Sequence, residues 1–200
     1  MSFVPENNGL SCARSNVLPN AEYLDVVDVQ GKPVGLVKSR LEIHRDGDWH
    51  KTVHVWLMNN RRELLVQQRA AGKETFPGYW DISCAGHRCT GESAVDAALH
   101  ETSEELGIVL EPDHLEYLFS VTTSSVLHNG TFIDNEIADV FLVHIQGSAV
   151  AIRLSAAEVG AIRWIPLAEF MSSIDRNSSS FVPHHEEYER LFSLIMKQSP

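Results

Sequence analysis

The sequence predicts a single α/β domain, and three observations lead to that prediction. Segments with the apolar pattern of strands recur before and after one strong helical pattern between Ser93 and Gly107. The chain has 200 residues, 44% of them hydrophobic and 22% charged, which is ordinary for one domain with its own core. A domain of this size that combines several strands with such a helix is typical of the α/β class.

The N-terminal residues differ from the rest of the chain. Residues 1–20 are rich in proline, asparagine and glycine and have no apolar periodicity, so we expect a flexible arm there and one domain over residues 21–200. Apolar runs bounded by turn residues then predict five strands: 23–29, 34–37, 49–58, 63–69 and 81–85. The aromatic residues of the loop at 70–80 either form a lid or pack under the sheet.

The helix that follows has clear boundary signals. Ser93 is suited to be its N-cap, with Asp96 three residues later, and Gly107 stands where helices commonly end in a left-handed residue. Apolar positions recur at helical spacing and predict one stripe facing the core: Val95, Ala98, Leu99, Thr102 and Leu106.

Beyond the helix, apolar runs predict four more strands: 114–126, 133–145, 149–154 and 161–165. Asn129 and Gly130 predict a tight turn between the first two of these strands. Pro166 predicts the start of a helix, and residues 172–180 predict a polar linker.

The last segment, residues 183–196, predicts a terminal amphipathic helix. His184 and His185 lie in its first turn and are expected to face solvent. Four residues at helical spacing are expected to face inward: Tyr188, Leu191, Leu194 and Ile195.

Charge and cysteine content limit the partners and the compartment. Sixteen Lys and Arg against 27 Asp and Glu give a net charge of −11, which argues against a broad nucleic-acid-binding surface. Cys12, Cys84 and Cys89 form neither a disulfide framework nor a paired zinc spacing, so a reducing compartment is expected. No apolar run is long enough to span a membrane. We expect a cytoplasmic protein without a nucleic-acid or membrane partner, and both a monomer and a homodimer remain open.

Three carboxylates lie on the flank of the helical stripe. Glu101, Glu104 and Glu105 fall together at about 100° per residue, and carboxylates at this spacing repel one another. A divalent cation would compensate for that repulsion, and oxygen ligands favour Mg²⁺ or Mn²⁺. Taken alone, the same spacing also fits a solvated acidic helix face.

Two other groups of residues are candidates for metal binding. Asp134 and Glu136 share one face of a predicted strand, where carboxylates are costly unless they are paired, bound to metal or on an edge strand in water. His44, His50 and His54 fall near one another and could bind zinc, although hydrogen-bonded sheet histidines fit equally well.

The spacing around the helix resembles the Nudix box, a long and specific signature. Gly86 is followed after five residues by Glu92, and after seven more by a run from His100 to Ile108 that contains the three glutamates. His100 stands where the family usually has arginine, which makes it a pH-dependent partner for a neighbouring glutamate. Thr102 stands where the family usually has an aliphatic residue.

The resemblance implies an α/β/α sandwich with a mixed sheet, and a hydrolase that cleaves the diphosphate linkage of a small-molecule X-diphosphate. It implies that Mg²⁺ or Mn²⁺ binds Glu101, Glu104, Glu105 and the Gly86 carbonyl, where it neutralises the diphosphate and activates water. Glu104 or Glu136 is the expected general base.

Further segments resemble the branch of the family that contains the isopentenyl-diphosphate isomerases. In those enzymes, the positions matching His50, His87 and Glu136 bind metal, and those matching Arg69 and Lys73 hold the diphosphate. We assign Arg69, Lys73, His50 and His87 to the substrate-binding part of the site, where the two cations suit a diphosphate.

Two departures argue against isomerisation. Ala85 stands at the position of the isomerases' catalytic cysteine, and Cys84, one residue away, falls on the opposite face of the strand. Glu101 and Glu104 stand where the isomerases carry arginine and a non-acidic residue. We therefore expect a hydrolase, with an isomerase and a non-catalytic diphosphate-binding module as the alternatives.

Overall fold

The computed structural model describes residues 22–146, 151–175 and 180–197. Within these ranges one mixed sheet of nine strands is flanked by four α-helices. The strands are β1 (Tyr23–Val27), β2 (Pro33–Ser39), β3 (Trp49–Asn59), β4 (Glu63–Arg69), β5 (Trp80–Asp81), β6 (Cys84–His87), β7 (Glu116–Leu127), β8 (Phe132–Ile145) and β9 (Val159–Pro166). The helices are α1 (Arg40–Asp46), α2 (Ala94–Leu106), α3 (Leu167–Asp175) and α4 (His185–Lys197).

Strand β3 is the centre of the sheet. Along one side the whole of β3 pairs in parallel with residues 135–145 of β8, which is itself paired with β7. Along its other side it pairs antiparallel with β1, β6 and β4 in turn. Because β8 is a central strand with a neighbour on each side at Glu136, the edge-strand alternative is wrong there, whereas within the described ranges Asp134 pairs only with Ser125 of β7.

Alternation along β3 divides the interior into two layers. Trp56 and Met58 point into a core formed with α3 and α4, whereas Val55 and Leu57 point into a core formed with α2. The helices therefore cover opposite faces of the sheet, and the predicted α/β/α sandwich is confirmed.

Helix α2 begins and ends as predicted. The Ser93 hydroxyl accepts a hydrogen bond from the Asp96 amide, and Gly107 closes the helix with φ 65°. The buried face differs from the predicted stripe, because Ala97 and Glu105 are buried while Leu99 is half-buried. The helix packs on β6, and hydrogen bonds from that side of the sheet allow it to bury a carboxylate.

Helix α1 was not predicted, although its sequence carries a cap signal. Ser39 and Glu42 form a capping box, and Gly47 ends the helix with φ 72°. The helix is only 7 residues long, too short for an apolar period to stand out.

Two predicted segments need correction. Residues 151–154 of the predicted strand 149–154 are not a strand, and the rest of that segment lies outside the described ranges. The Arg153 amide donates instead to the Leu106 carbonyl at the C-terminal end of α2. Residues 172–175 of the predicted linker belong to α3. The predicted arm at 1–20 lies outside the described residues.

Among the described residues, no helix has both the length and the apolar character that crossing a membrane requires.

Candidate active site

A cavity of about 560 Å³ lies between α2, the sheet and the first turn of α4. Its volume is in the range of small-molecule sites. The predicted site residues all line it except His50: Gly86, Glu101, Glu104, Glu105, Arg69, Lys73, His87 and Glu136. His50 is fully buried next to the wall, within 3.7 Å of Glu136.

The three glutamates of α2 reach the cavity at different depths. Glu101 is packed against the backbone of Gly86, where an added Cβ would lie 2.0 Å from the Glu101 carboxyl carbon. Glu105 is buried and accepts hydrogen bonds from the Gln67 side chain at 3.0 Å and the Ala85 amide at 3.4 Å. The Glu104 side chain is 60% exposed. Only a glycine at position 86 leaves room for the Glu101 carboxyl group.

Burial makes the two inner carboxylates hard to ionise. It raises the pKa of Glu105 to about 7. Burial and the charge of Glu105 together raise the pKa of Glu101 well above its ordinary value. A bound divalent cation would reverse both shifts, and an all-oxygen donor set suits Mg²⁺ or Mn²⁺. The residues present therefore fit such an ion.

His100 takes the place of the usual arginine on this helix. Its Nε2 lies 3.2 Å from Glu104 and its Nδ1 lies 3.6 Å from Glu92. The nearby Glu92 carboxylate raises the pKa of His100 despite its partial burial. The histidine thus holds Glu104 at the rim of the cavity.

A second cluster combines three histidines with two carboxylates of β8. The rings of His44, His50 and His87 lie 4.9 to 5.4 Å apart. Asp134 lies 3.3 Å from His44, and Glu136 lies 3.7 Å from His50. Within the described ranges, the buried His50 Nε2 and Asp134 Oδ1 have no hydrogen-bond partner. These unpartnered atoms are one nitrogen and one oxygen, a mixed ligand set that fits a divalent transition metal.

His54 does not belong to this histidine cluster. Its Nδ1 lies 2.6 Å from Glu187 of α4, which also accepts a hydrogen bond from Trp56 at 2.7 Å. The proposed zinc group of His44, His50 and His54 is therefore wrong, and for His54 the hydrogen-bonded alternative holds. His87 takes its place beside the other two.

The sequence did not reveal the polar residues at the far end of the cavity. His184 was expected to face solvent, but its Nε2 lies 3.0 Å from Asp81, and its side chain is 16% exposed. Asp81 also accepts a hydrogen bond from Arg69 at 3.0 Å. The signal for Glu187 was its place beside Tyr188 on the inward face of α4, where an acidic residue is unusual.

The two predicted diphosphate-binding cations have carboxylate partners at the cavity wall. Arg69 also donates to the Thr75 carbonyl at 2.8 Å, which fixes its guanidinium. Lys73 is paired with Glu158. Both cations are therefore held in place at the cavity.

The ion pair between His54 and Glu187 predicts a pH-dependent stability. Burial lowers the pKa of His54, but the charge and hydrogen bond of Glu187 outweigh it and raise that pKa from 6.5 to about 9. The pair therefore stabilises the fold fully below pH 6.5, and this contribution, about 3 kcal/mol at most, is lost as the pH rises through 9. We expect the melting temperature of the metal-free protein to fall over that interval.

Glu187→Gln is the matched control for this prediction. The amide keeps an acceptor for Trp56 and removes the charge, so the melting temperature of this variant should vary much less between pH 6.5 and 9. Identical pH profiles for the two proteins in thermal denaturation would contradict the assigned ion pair.

A family model and two related proteins match the sequence of this chain. The family model of the NUDIX domain matches residues 48–185. Nudix hydrolase 3 from Arabidopsis thaliana is 37% identical over 182 residues, which are 88% of this chain and 24% of that protein. The chain thus spans about a quarter of the length of that relative. An isopentenyl-diphosphate Delta-isomerase from Ruegeria pomeroyi is 35% identical over 145 residues, which cover 72% of this chain and 77% of that protein.

A solved structure supports the same fold. DR0079 from Deinococcus radiodurans has a TM-score of 0.61 at 20% identity, and the match covers 90% of this chain and 100% of that chain. The family model covers more than half of the chain, so the chain belongs to the Nudix family, and the resemblance seen in the sequence is confirmed.

Proposed function

We propose that this chain is a metal-dependent hydrolase that cleaves the diphosphate linkage of a small-molecule X-diphosphate. The observation that carries the proposal is the burial of two mutually repelling carboxylates, Glu101 and Glu105, at the wall of a cavity of substrate size. Isolated carboxylates are not buried in this way without a compensating charge. Mg²⁺ or Mn²⁺ held by these residues, Glu104 and the Gly86 carbonyl supplies that charge.

The bound ion neutralises the diphosphate and makes water a stronger nucleophile. Arg69 offers the diphosphate a fork of donors, and Lys73 offers a compact point charge. Their partners Asp81 and Glu158 hold both cations at the wall before the substrate arrives. Less freedom is then lost when the diphosphate binds.

We propose Glu104 as the general base and Glu136 as a ligand of the second cluster. Burial raises the pKa of Glu136, but the neighbouring His50 outweighs burial and holds that pKa well below its ordinary value. Such a weak base is poorly suited to accept a proton at neutral pH. Glu104 is exposed at the rim, where His100 orients it.

The isomerase alternative lacks an acid at the required position. Ala85 lines the cavity, while Cys84 is fully buried in the core on the α2 side of the sheet. Burial also raises the pKa of the Cys84 thiol well above its ordinary value. The Cys84 thiol is not among the described side chains that line the cavity.

A panel of diphosphates tests the proposed reaction. We expect phosphate-bond hydrolysis that requires Mg²⁺ or Mn²⁺ with at least one member of a panel of nucleoside diphosphates and triphosphates, dinucleotide polyphosphates, ADP-ribose, isoprenoid diphosphates and thiamine diphosphate. Removal of the metal with a chelator should abolish the activity, and adding it back should restore it. Phosphate release and product chromatography provide the measurement.

The same panel separates the alternatives. Isopentenyl diphosphate converted to deuterated dimethylallyl diphosphate in heavy water, with loss of that product in Cys84→Ala, would establish the isomerase instead. Tight binding in calorimetry with no product from any panel member would establish a binding module.

A further inference from the structure

The cavity has a more exposed part, its mouth, at Glu104 and Lys73, and a more buried part, its floor, at His54 and Glu187. At the mouth, the side chains of Glu104 and Lys73 are 60% and 23% exposed. At the floor, those of His54 and Glu187 are 4% and 1% exposed. Arg69 connects the two parts, because its partner Asp81 also bonds His184, so the X group of a diphosphate held by Arg69, Lys73 and the glutamates can reach the floor.

The floor is built from two imidazoles, each held by a buried carboxylate. Glu187 bonds His54 through Nδ1, and Asp81 bonds His184 through Nε2. The two rings lie 5.2 Å apart, and both line the cavity. Within the described ranges, no hydrogen bond involves the second nitrogen of either ring. A carboxylate that holds one nitrogen fixes the direction in which the other can bond.

Two neighbouring residues extend this polar surface and leave space beside it. Thr52 lies on the same face of β3 as His54 and lines the cavity, and its buried hydroxyl has no hydrogen-bond partner within the described ranges. Ala85 pairs with His54 across the sheet and occupies little volume. A ligand that reaches the floor would meet donors and acceptors there.

A hydrocarbon group would fit this floor poorly. It would cover the imidazoles and the Thr52 hydroxyl without giving them partners, and leaving buried polar groups unsatisfied is costly. Burying the charges of Asp81 and Glu187 costs desolvation free energy, and an apolar floor would avoid that cost. A group with hydroxyl oxygens satisfies the same atoms.

We propose that the cavity floor is a subsite for a hydroxyl-bearing X group, recognised through the second ring nitrogens of His54 and His184. The inference rests on the proposed function, since it names the class of X in the X-diphosphate substrate. The raised pKa of His54 is consistent with it, because an imidazolium carries a proton on both nitrogens and so donates towards the ligand.

Two probes that differ by one hydroxyl test the subsite: 3-methylbutyl diphosphate and 3-hydroxy-3-methylbutyl diphosphate. Calorimetry on the full chain with Mg²⁺ should show about tenfold tighter binding of the hydroxylated probe. His54→Phe should reduce this preference to below about twofold, and His54→Gln, which keeps an N–H donor, should retain part of it. His144→Phe changes a histidine whose side chain is 55% exposed on β8 and should leave the preference unchanged.

The possible outcomes distinguish the subsite from a structural role. If the network only attaches α4 to the sheet, His54→Phe lowers the melting temperature while the preference persists, and the inference is overturned. Equal binding of the two probes, or no binding of either, overturns it as well. A preference that depends on His54 without phosphate release from either probe supports the subsite and counts against hydrolysis of these diphosphates.

Discussion

Glu105→Gln is expected to lower kcat/KM for any confirmed diphosphate substrate by about 100-fold or more. The substitution removes a charge from the carboxylate group that would hold the metal, and such an ion supplies several kcal/mol of transition-state stabilisation. The shape of the side chain is kept. Gln67 Oε1, which has no hydrogen-bond partner within the described ranges, can accept a bond from the new amide if the Gln67 side chain reorients.

Thermal denaturation separates this effect from unfolding. The raised pKa of Glu105 means that the metal-free wild type loses stability as the pH rises from 4.5 through about 7, because the ionised carboxylate is disfavoured in the folded state. The glutamine variant should therefore melt at an equal or higher temperature at pH 8 without metal. At about 100 times its Kd, metal should stabilise the wild type by about 2.7 kcal/mol. Equal activity of the two proteins would exclude the assigned role.

Gly86→Ala is expected to cause a loss of similar size through geometry alone. The added Cβ would lie 2.0 Å from the Glu101 carboxyl carbon and 2.3 Å from one of its oxygens, so the carboxylate must move away. Misplacement of a catalytic group by about 1 Å can cost about 100-fold in rate. Steady-state kinetics with varied Mg²⁺ should show a raised metal requirement together with a lowered kcat.

Gly72→Ala provides the matched control. A Cβ at Gly72 would meet no atom within 4 Å, and neither glycine has a positive φ, so both variants make the same chemical change without backbone strain. The Gly72 variant should keep wild-type kinetics. Full activity of Gly86→Ala would mean that the position of Glu101 on this backbone does not matter for the reaction.

Much of the fold was predictable because its signals are local. The caps of α2 at Ser93 and Gly107 were correct because capping depends on residues a few positions apart. The period-2 pattern placed β3 and β8 within one residue at each end. Helix α1 was missed because it is short. Residues 151–154 were wrongly predicted to be a strand, and their Arg153 amide bonds to a helix end instead.

The sequence alone determined which side chains share a face of one element. Glu101 and Glu105 of α2, and Asp134 and Glu136 of β8, were assigned to their faces by spacing. The tertiary structure decided which faces meet. His44 of α1 joins a cluster with residues of β3, β6 and β8, and His54 bonds to Glu187, 133 residues away. Periodicity fixes orientation within an element, whereas contacts between elements depend on how the whole chain buries its apolar surface.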